Sequence, residues 1–297
     1  MRKTLKIVSY GEILWDLFPE GKQQGGAPLN VALRLLSLGN EVKMISRLGE
    51  DKLAEETCEL LKKQGLDQSL IQHDLNLKTG AVDVKLDSTG SASYTIKKPV
   101  AWDNIQLTDE AEKAVENADL FIYGSLAARS ESSKNTLNRL VQKAKMPVFD
   151  VNLRAPHYEL QEVVELMEQA FLIKMNDEEI DEICGFMGLN HKNLKHRVNA
   201  LYKTMNAQYI CVTRGANGAL LSDGNKVYSH SGFPTKVADT VGAGDSFLAG
   251  LLHILFGEDD PEKALDYGCA LGSIVASQNG ANAKVSQAQI EKLLQKN

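Results

Sequence analysis

No run of about 18 apolar residues occurs anywhere in the 297-residue chain, so no membrane-spanning helix is expected. The opening stretch, MRKTLKIVSYGE, carries basic residues but no apolar segment of signal-peptide length, and the expected location is cytoplasmic. Cysteine is scarce: Cys58, Cys184, Cys211 and Cys269 lie far apart and form no C-x-x-C pair. Reduced thiols are expected, with Cys58 and Cys211 read as core residues. No Asn-x-Ser/Thr sequon is present, and the six histidines show no metal-ligand spacing. Their nearest pair, His191 and His196, reads as solvated surface. Positive charge is not in excess either: 33 Lys and Arg face 39 Asp and Glu, a net charge of −6. That balance argues against a nucleic-acid partner, which would need a basic face. With no G-x-x-x-x-G-K-[ST] segment, a P-loop is excluded. Any phosphate must therefore be held by a local site.

Short apolar runs alternate with longer amphipathic ones. Strands are expected at 6–10, 42–46, 120–123, 148–151, 171–175 and 209–213. Helices are expected between them, for example at 28–38, 52–64, 132–145 and 194–205. This alternation predicts βαβ units, hence an α/β fold with a mainly parallel sheet covered on both faces. Ligands of such sheets lie beyond the carboxyl ends of the strands. Two hairpins break the pattern. One joins 79–86 to 91–96 through Asp87-Ser88-Thr89-Gly90, and the other joins 218–223 to 226–230 around Asp223-Gly224-Asn225. The first, with part of 9–20, reads as a small β-sheet projecting from the main body; an antiparallel edge extension is the alternative. Near the C-terminus Phe247, Leu251 and Leu255 repeat at i, i+4 and i+8, a helix with an apolar stripe starting close to Gly244. Asp260-Pro261 caps the next helix, which Gly280 is expected to end.

Gly242-Ala243-Gly244-Asp245 opens that striped helix. Glycines let backbone approach a ligand, and free N–H groups at a helix start attract anions. An exposed helix dipole contributes only about 0.3–1 kcal/mol, so directed amides and a bound metal must supply the rest. Asp245 in this first turn either complements the dipole or accepts the proton of an attacking hydroxyl. A second cluster, Gly25-Gly26-Ala27-Pro28-Leu29-Asn30, exposes backbone before a helix, with Asn30 offering both donor and acceptor to hydroxyls. Asp16, after the first strand, would accept from two adjacent hydroxyls or be an ordinary loop acid. Asp150, Asn152 and Arg154 stand at alternate positions and are expected to share a face. Asn176 and Glu179 read as a helix cap and its capping box. Thr213 to Gly218 is a glycine turn that either meets a nucleotide or joins two strands.

Together these motifs resemble the ribokinase-like (pfkB-type) carbohydrate kinases, most closely the bacterial fructokinases. DTVGAGDSF at 239–247 resembles the family's C-terminal signature, and GGAPLNVALRLLSLG at 25–39 its N-terminal one. Asn176 to Glu179 matches N-x-x-E, 213–218 resembles the nucleotide-binding turn, and Ala101-Trp102-Asp103 the return from lid to core. The resemblance implies one kinase domain over 1–297, with a β-lid from about 10–22 and 79–103 that often supports a homodimer. It implies Asp245 as catalytic base and the backbone of Gly242, Ala243 and Gly244 as anion hole. Asp16, Gly25, Gly26, Asn30 and Arg154 would hold the sugar. Asn176 and Glu179 would act on the Mg2+–ATP phosphates, and Thr213, Gly215 and Gly218 would line the nucleotide. Many members hold a monovalent cation, K+, beside the anion hole; here Asp239 and the Val241 carbonyl could serve. Lys284 in the loop 280–285 would either replace that cation or swing outward. The implied function is ATP-dependent phosphorylation of a ketohexose, with fructose leading. The alternatives are 2-keto-3-deoxygluconate, ribose or a nucleoside as acceptor, or a sugar sensor without turnover.

Overall fold

Residue alternation along each strand decides which side of the sheet it feeds. In the computed structural model, which describes residues 2–86, 92–189 and 191–295, the strands are β1 (Lys6–Tyr10), β2 (Leu14–Phe18), β3 (Gly21–Gly25), β4 (Glu41–Gly49), β5 (Ile71–Asp74), β6 (Gly80–Leu86), β7 (Ala92–Ile96), β8 (Leu120–Gly124), β9 (Pro147–Asp150), β10 (Leu172–Asn176), β11 (Tyr209–Thr213), β12 (Ala219–Ser222) and β13 (Val227–His230). The helices are α1 (Ala27–Ser37), α2 (Lys52–Gln64), α3 (Asp109–Asn117), α4 (Glu131–Val141), α5 (Leu160–Glu168), α6 (Asp177–Phe186), α7 (Leu194–Thr204), α8 (Ala243–Glu258), α9 (Pro261–Ala276) and α10 (Gln287–Leu294).

Among the described residues, nine strands form one sheet in the order β13-β12-β11-β10-β9-β8-β1-β4-β5. Its seven strands from β11 to β5 pair in parallel, and β12 runs antiparallel between β11 and β13. On one face Ile7 and Ile122 pack with Leu29 and Leu35 of α1, Leu248 and Leu251 of α8, and Leu265 of α9. On the other, Val8, Phe121 and Tyr123 pack with Leu137 of α4, Met167 of α5, Ile183 of α6 and Leu201 of α7. Sequence neighbours thus serve opposite cores, as a pleated strand requires. Helix α8 departs from the expected single stripe: Ser246 through Leu255 are all buried. It lies against both α1 and α9, so it is buried all round instead of along one stripe.

The small sheet is separate, in the order β3-β2-β6-β7, with β2 and β6 parallel and the outer pairs antiparallel. This favours the projecting sheet over an edge extension. Strand β3, GKQQG, carries no apolar alternation and was not expected; it forms by pairing backbone with β2. The turn Asp87-Ser88-Thr89-Gly90 and Ser91 lie outside the described residues. Helix α9 ends at Ala276, four residues before Gly280, because the chain turns there to place Ala238 and Asp239 N–H groups on the Ala276 carbonyl.

The return from the small sheet is pinned at Trp102, which is fully buried. Arg129 stacks on its ring at 3.9 Å and binds Asp103 through two bonds of 2.7 and 2.9 Å. Asp103 and Arg129 are both buried, so removing one strands the other's charge. We expect Asp103→Ala to lower unfolding free energy by about 3–5 kcal/mol in a denaturant titration, with the slope unchanged. A loss under about 1 kcal/mol would show that the pair does not anchor this junction.

Candidate active site

Strands β1, β8, β9, β10 and β11 all end on one edge, because they are parallel and in register. The chain runs from β1 outward to β4 and β5, then returns to build β8 to β11 on the other side. The point of reversal lies between β1 and β8, where open α/β sheets form their crevice. Into this edge α1, α6 and α8 bring their N-terminal turns.

Asp245 stands in the first turn of α8, half-buried. Gly242 caps the helix with φ 74°, and a Cβ there would lie 2.5 Å from the Cα of Ala281. Only glycine satisfies both constraints. Ala243 departs from the expected anion hole: its N–H donates to the Thr240 carbonyl at 3.2 Å and is committed to a turn. The N–H groups of Gly242, Gly244 and Asp245 remain at the helix start. Asn30, buried in α1, donates from Nδ2 to Asp245 Oδ2 at 2.8 Å. Burial first, then the charge of Asp150, raises the Asp245 carboxyl to about 6; the Asn30 bond, Lys174 and Arg154 oppose them.

Beneath this turn Lys174 of β10 and Asp150 of β9 face one another across adjacent strands in direct register, 2.9 Å apart and both buried. The Lys174 ammonium lies 3.5 Å from where a Cβ on Gly244 would stand. Burial alone would lower the Lys174 pKa, but Asp150, Glu179 and Asp245 outweigh it and hold the amine charged. Asp150 and Asn152 line one small cavity, but Arg154 does not join them as expected. The strand stops at Asp150 and Asn152 takes φ 42°, which breaks the alternation. Arg154 instead stands exposed, its charge acting on Glu12, Asp16 and Asp245.

Asp16 and Gly25 lie close across β2 and β3, so that a Cβ on Gly25 would meet Asp16 Oδ2 at 2.7 Å. Gly26 has φ 112°, and a Cβ there would strike the Glu12 carbonyl at 2.4 Å. Burial raises Asp16 to about 6, with Arg154 opposing. Glu12 is 3% exposed and is raised to about 7, first by burial, with backbone N–H groups and Arg154 opposing and Asp245 adding. Its Oε2 and Asp150 Oδ2 have no hydrogen-bond partner among the described residues. Both residues line one cavity of about 10 Å3, room for roughly one water.

Asn176 and Glu179 form the capping box of α6: Asn176 Oδ1 accepts from the Glu179 N–H, and Glu179 Oε2 from the Asn176 N–H, each at 2.8 Å. Glu179 Oε1 accepts from Leu153 N–H at 2.9 Å, so both oxygens already hold amides. Contact with a phosphate-bound metal would then run through water. Thr213 ends β11, Gly215 faces open space at φ 53°, and Gly218 packs on the His230 carbonyl. Asp239 clamps the helix approach to the C-terminal loop, accepting from Val241 and Gly280 N–H groups at 3.0 Å each. Val241 is exposed. Among the described residues no three His, Cys, Asp or Glu gather to hold a metal. Lys284 is exposed, and His191 and His196 are exposed as expected.

Three participants were not singled out from sequence: Glu12, Lys174 and Asn282. Lys174 had a signal, a lysine inside the apolar strand FLIKM, which in a doubly covered sheet demands a partner. Glu12 had little, since it follows a strand as loop acids do. Asn282, whose Nδ2 donates to Asn30 Oδ1 at 3.1 Å, comes from 252 residues away and had none.

A family model described as pfkB family carbohydrate kinase matches residues 5–288. A fructokinase of Solanum tuberosum is 28% identical over 307 residues, covering 93% of this chain and 91% of that protein. An uncharacterized sugar kinase of Pyrococcus horikoshii is 31% identical over 260 residues, covering 83% of this chain and 81% of that protein. Its crystal structure matches with a TM-score of 0.82 at 25% identity, over 97% of this chain and 99% of that one. A fructokinase double mutant from Vibrio cholerae, crystallised with fructose, ADP and potassium ion, matches with a TM-score of 0.84 at 23% identity, over 99% of each chain. The architecture is the ribokinase-like fold.

Folding lifts Glu12 from an ordinary 4.5 to about 7, so its ionised form costs stability above pH 7. Below about 4.5 the group is protonated whether folded or not, and the cost vanishes. Glu12→Gln should therefore stabilise the protein by roughly 2–3 kcal/mol at about pH 8, the gain shrinking as pH falls from about 7 to about 4.5. Paired denaturant titrations across that range check this, and a pH-independent difference would contradict the placement of Glu12.

Proposed function

The chain belongs to the pfkB family of carbohydrate kinases, and on that footing we propose that it transfers the γ-phosphoryl group of Mg-ATP to the primary hydroxyl of a ketohexose, converting fructose to fructose 6-phosphate. One observation supports this reading above the others: Asp245, raised by burial to about 6, shares a helix start with a buried ammonium and with amides that have no partner among the described residues. The fructokinase of Solanum tuberosum and the fructose-bound Vibrio cholerae structure support the choice of acceptor.

In this reading Asp16, Gly25, Gly26, Asn30 and Arg154 hold the sugar hydroxyls. Asp245 takes the proton of the attacking hydroxyl as its oxygen bonds to the γ-phosphorus, and the bond to the bridging oxygen breaks to release ADP. The amides of Gly242 and Gly244, with the Lys174 ammonium, face the charge on the moving phosphoryl group. Asn176 and Glu179, fixed in the α6 cap, would hold the water shell of a magnesium ion, which would neutralise phosphate oxygens. Thr213, Gly215 and Gly218 line the nucleotide. A potassium ion would take Asp239 and the Val241 carbonyl; the exposure of Lys284 supports leaving that place to it. The small sheet covers the sugar and offers a surface for a second copy.

Turnover of Mg-ATP across a panel of ketohexoses, 2-keto-3-deoxygluconate, ribose and nucleosides tests the acceptor, with fructose expected to show the highest kcat/KM. Binding of fructose without product would sink the reading in favour of a sensor. Asp245→Asn should lower kcat by about 10²–10⁴ with sugar affinity within a few-fold, whereas Asp16→Ala should chiefly raise the sugar KM. The acid limb of kcat should fall near about pH 6, since Asp245 must be ionised to accept a proton.

A further inference from the structure

We infer that Asn282 is a positioning residue for this reaction: it fixes which way the Asn30 side-chain amide faces, and through it keeps Asp245 a proton acceptor. The inference rests on the reading of Asp245 as base given above. A primary amide has two ends of nearly equal shape, an oxygen that accepts and a nitrogen that donates, and only its partners decide between them. Asn30 lies between two such partners. Its Oδ1 accepts from Asn282 Nδ2 at 3.1 Å, which leaves its Nδ2 to donate to Asp245 Oδ2 at 2.8 Å. Turned the other way, Asn30 would set an oxygen against the carboxylate, an arrangement tolerable only if Asp245 already carried a proton.

The loop that brings Asn282 is itself held on two sides. Gly280 N–H binds Asp239, and the Ala283 carbonyl accepts from Arg34 Nη2 at 2.8 Å. Arg34 Nε in turn donates to Ser246 Oγ at 3.2 Å, the residue after Asp245. The C-terminal loop, α1 and α8 are thus cross-linked around the reactive carboxyl, and Asn282 aims the innermost of these links.

The charged groups that face Asp245 are Asp150 from β9, Lys174 from β10, Arg154 from the following connection and Glu12 after β1. None of these is altered by replacing Asn282. The Asn30 bond favours the ionised carboxyl, so its loss should raise the pH at which Asp245 ionises.

The test uses Asn282→Asp, which keeps the shape but can only accept at neutral pH and so draws the Asn30 amide nitrogen away from Asp245. We expect kcat to drop about tenfold or more near neutral pH and the acid limb of its pH profile to move up by about one unit, with the KM for ATP within about threefold. Asn282→Leu, which merely removes the donor, should move the limb less. In an Asn30→Ala background Asn282→Asp should move the limb by much less, through its added charge alone, because the route through Asn30 is gone. An unmoved acid limb, or the same shift surviving in the Asn30→Ala background, would overturn the inference. Carbon-13 NMR titration of the Asp245 carboxyl in the free protein makes the same comparison without turnover. A chain that phosphorylates no sugar would then defeat the kinase reading, while the titration would still decide whether Asn282 acts on Asp245.

Discussion

The buried ion pair between Asp150 and Lys174 governs the electrostatics of the whole edge. A carboxylate taken from water into a low-dielectric interior costs several kcal/mol unless a partner and hydrogen bonds offset it. Here the partner does more than offset. Lys174 lies beside Gly244, so one ammonium answers Asp150 directly and also opposes the charge of Asp245 and Glu179. Asp150 pulls the other way on Asp245. Burial acts first on Asp245, and these two influences act on it in addition, leaving its carboxyl at about 6, the range the proposed role of proton acceptor needs.

The fold makes that arrangement by topology more than by local preference. Parallel register carries Asp150 and Lys174 to the same height, and the reversal between β1 and β8 opens the crevice above them. Three helices then bring their N-terminal turns to one place. Their dipoles are individually modest, about 0.3–1 kcal/mol where exposed. Their value lies in direction: amides fixed by the sheet need no reorganisation when charge develops in front of them. Gly242 and Gly26 are the two points where this packing could not accept a side chain, since each meets backbone within 2.5 Å at positive φ.

Much of this was legible from the residues, and the failures have physical causes. Parallel strands buried on both faces announce themselves as apolar runs, so 6–10, 120–123 and 209–213 agree with the structure to within a residue. The polar strand β3 did not, because edge pairing can be satisfied by backbone alone. The signature glycines were readable as close approaches, while the commitment of the Ala243 amide to Thr240 depends on a turn geometry that letters do not encode. Local caps such as Asn176 with Glu179 span three residues and were visible. Contacts such as Asn282 with Asn30 span most of the chain, and no pattern within a window of sequence can reveal them.

The same edge explains why the protein tolerates poor local energetics. Glu12, Asp16 and Asp245 are all raised well above ordinary carboxylates, first by burial, so each costs stability at neutral pH rather than adding to it. Folding alone would favour amides or apolar residues in all three places. Stability is recovered elsewhere, in the two cores on either side of the sheet and in the Trp102–Arg129–Asp103 anchor. A rigid frame that carries three misplaced acids at one edge marks that edge as the place where chemistry, not folding, chose the residues.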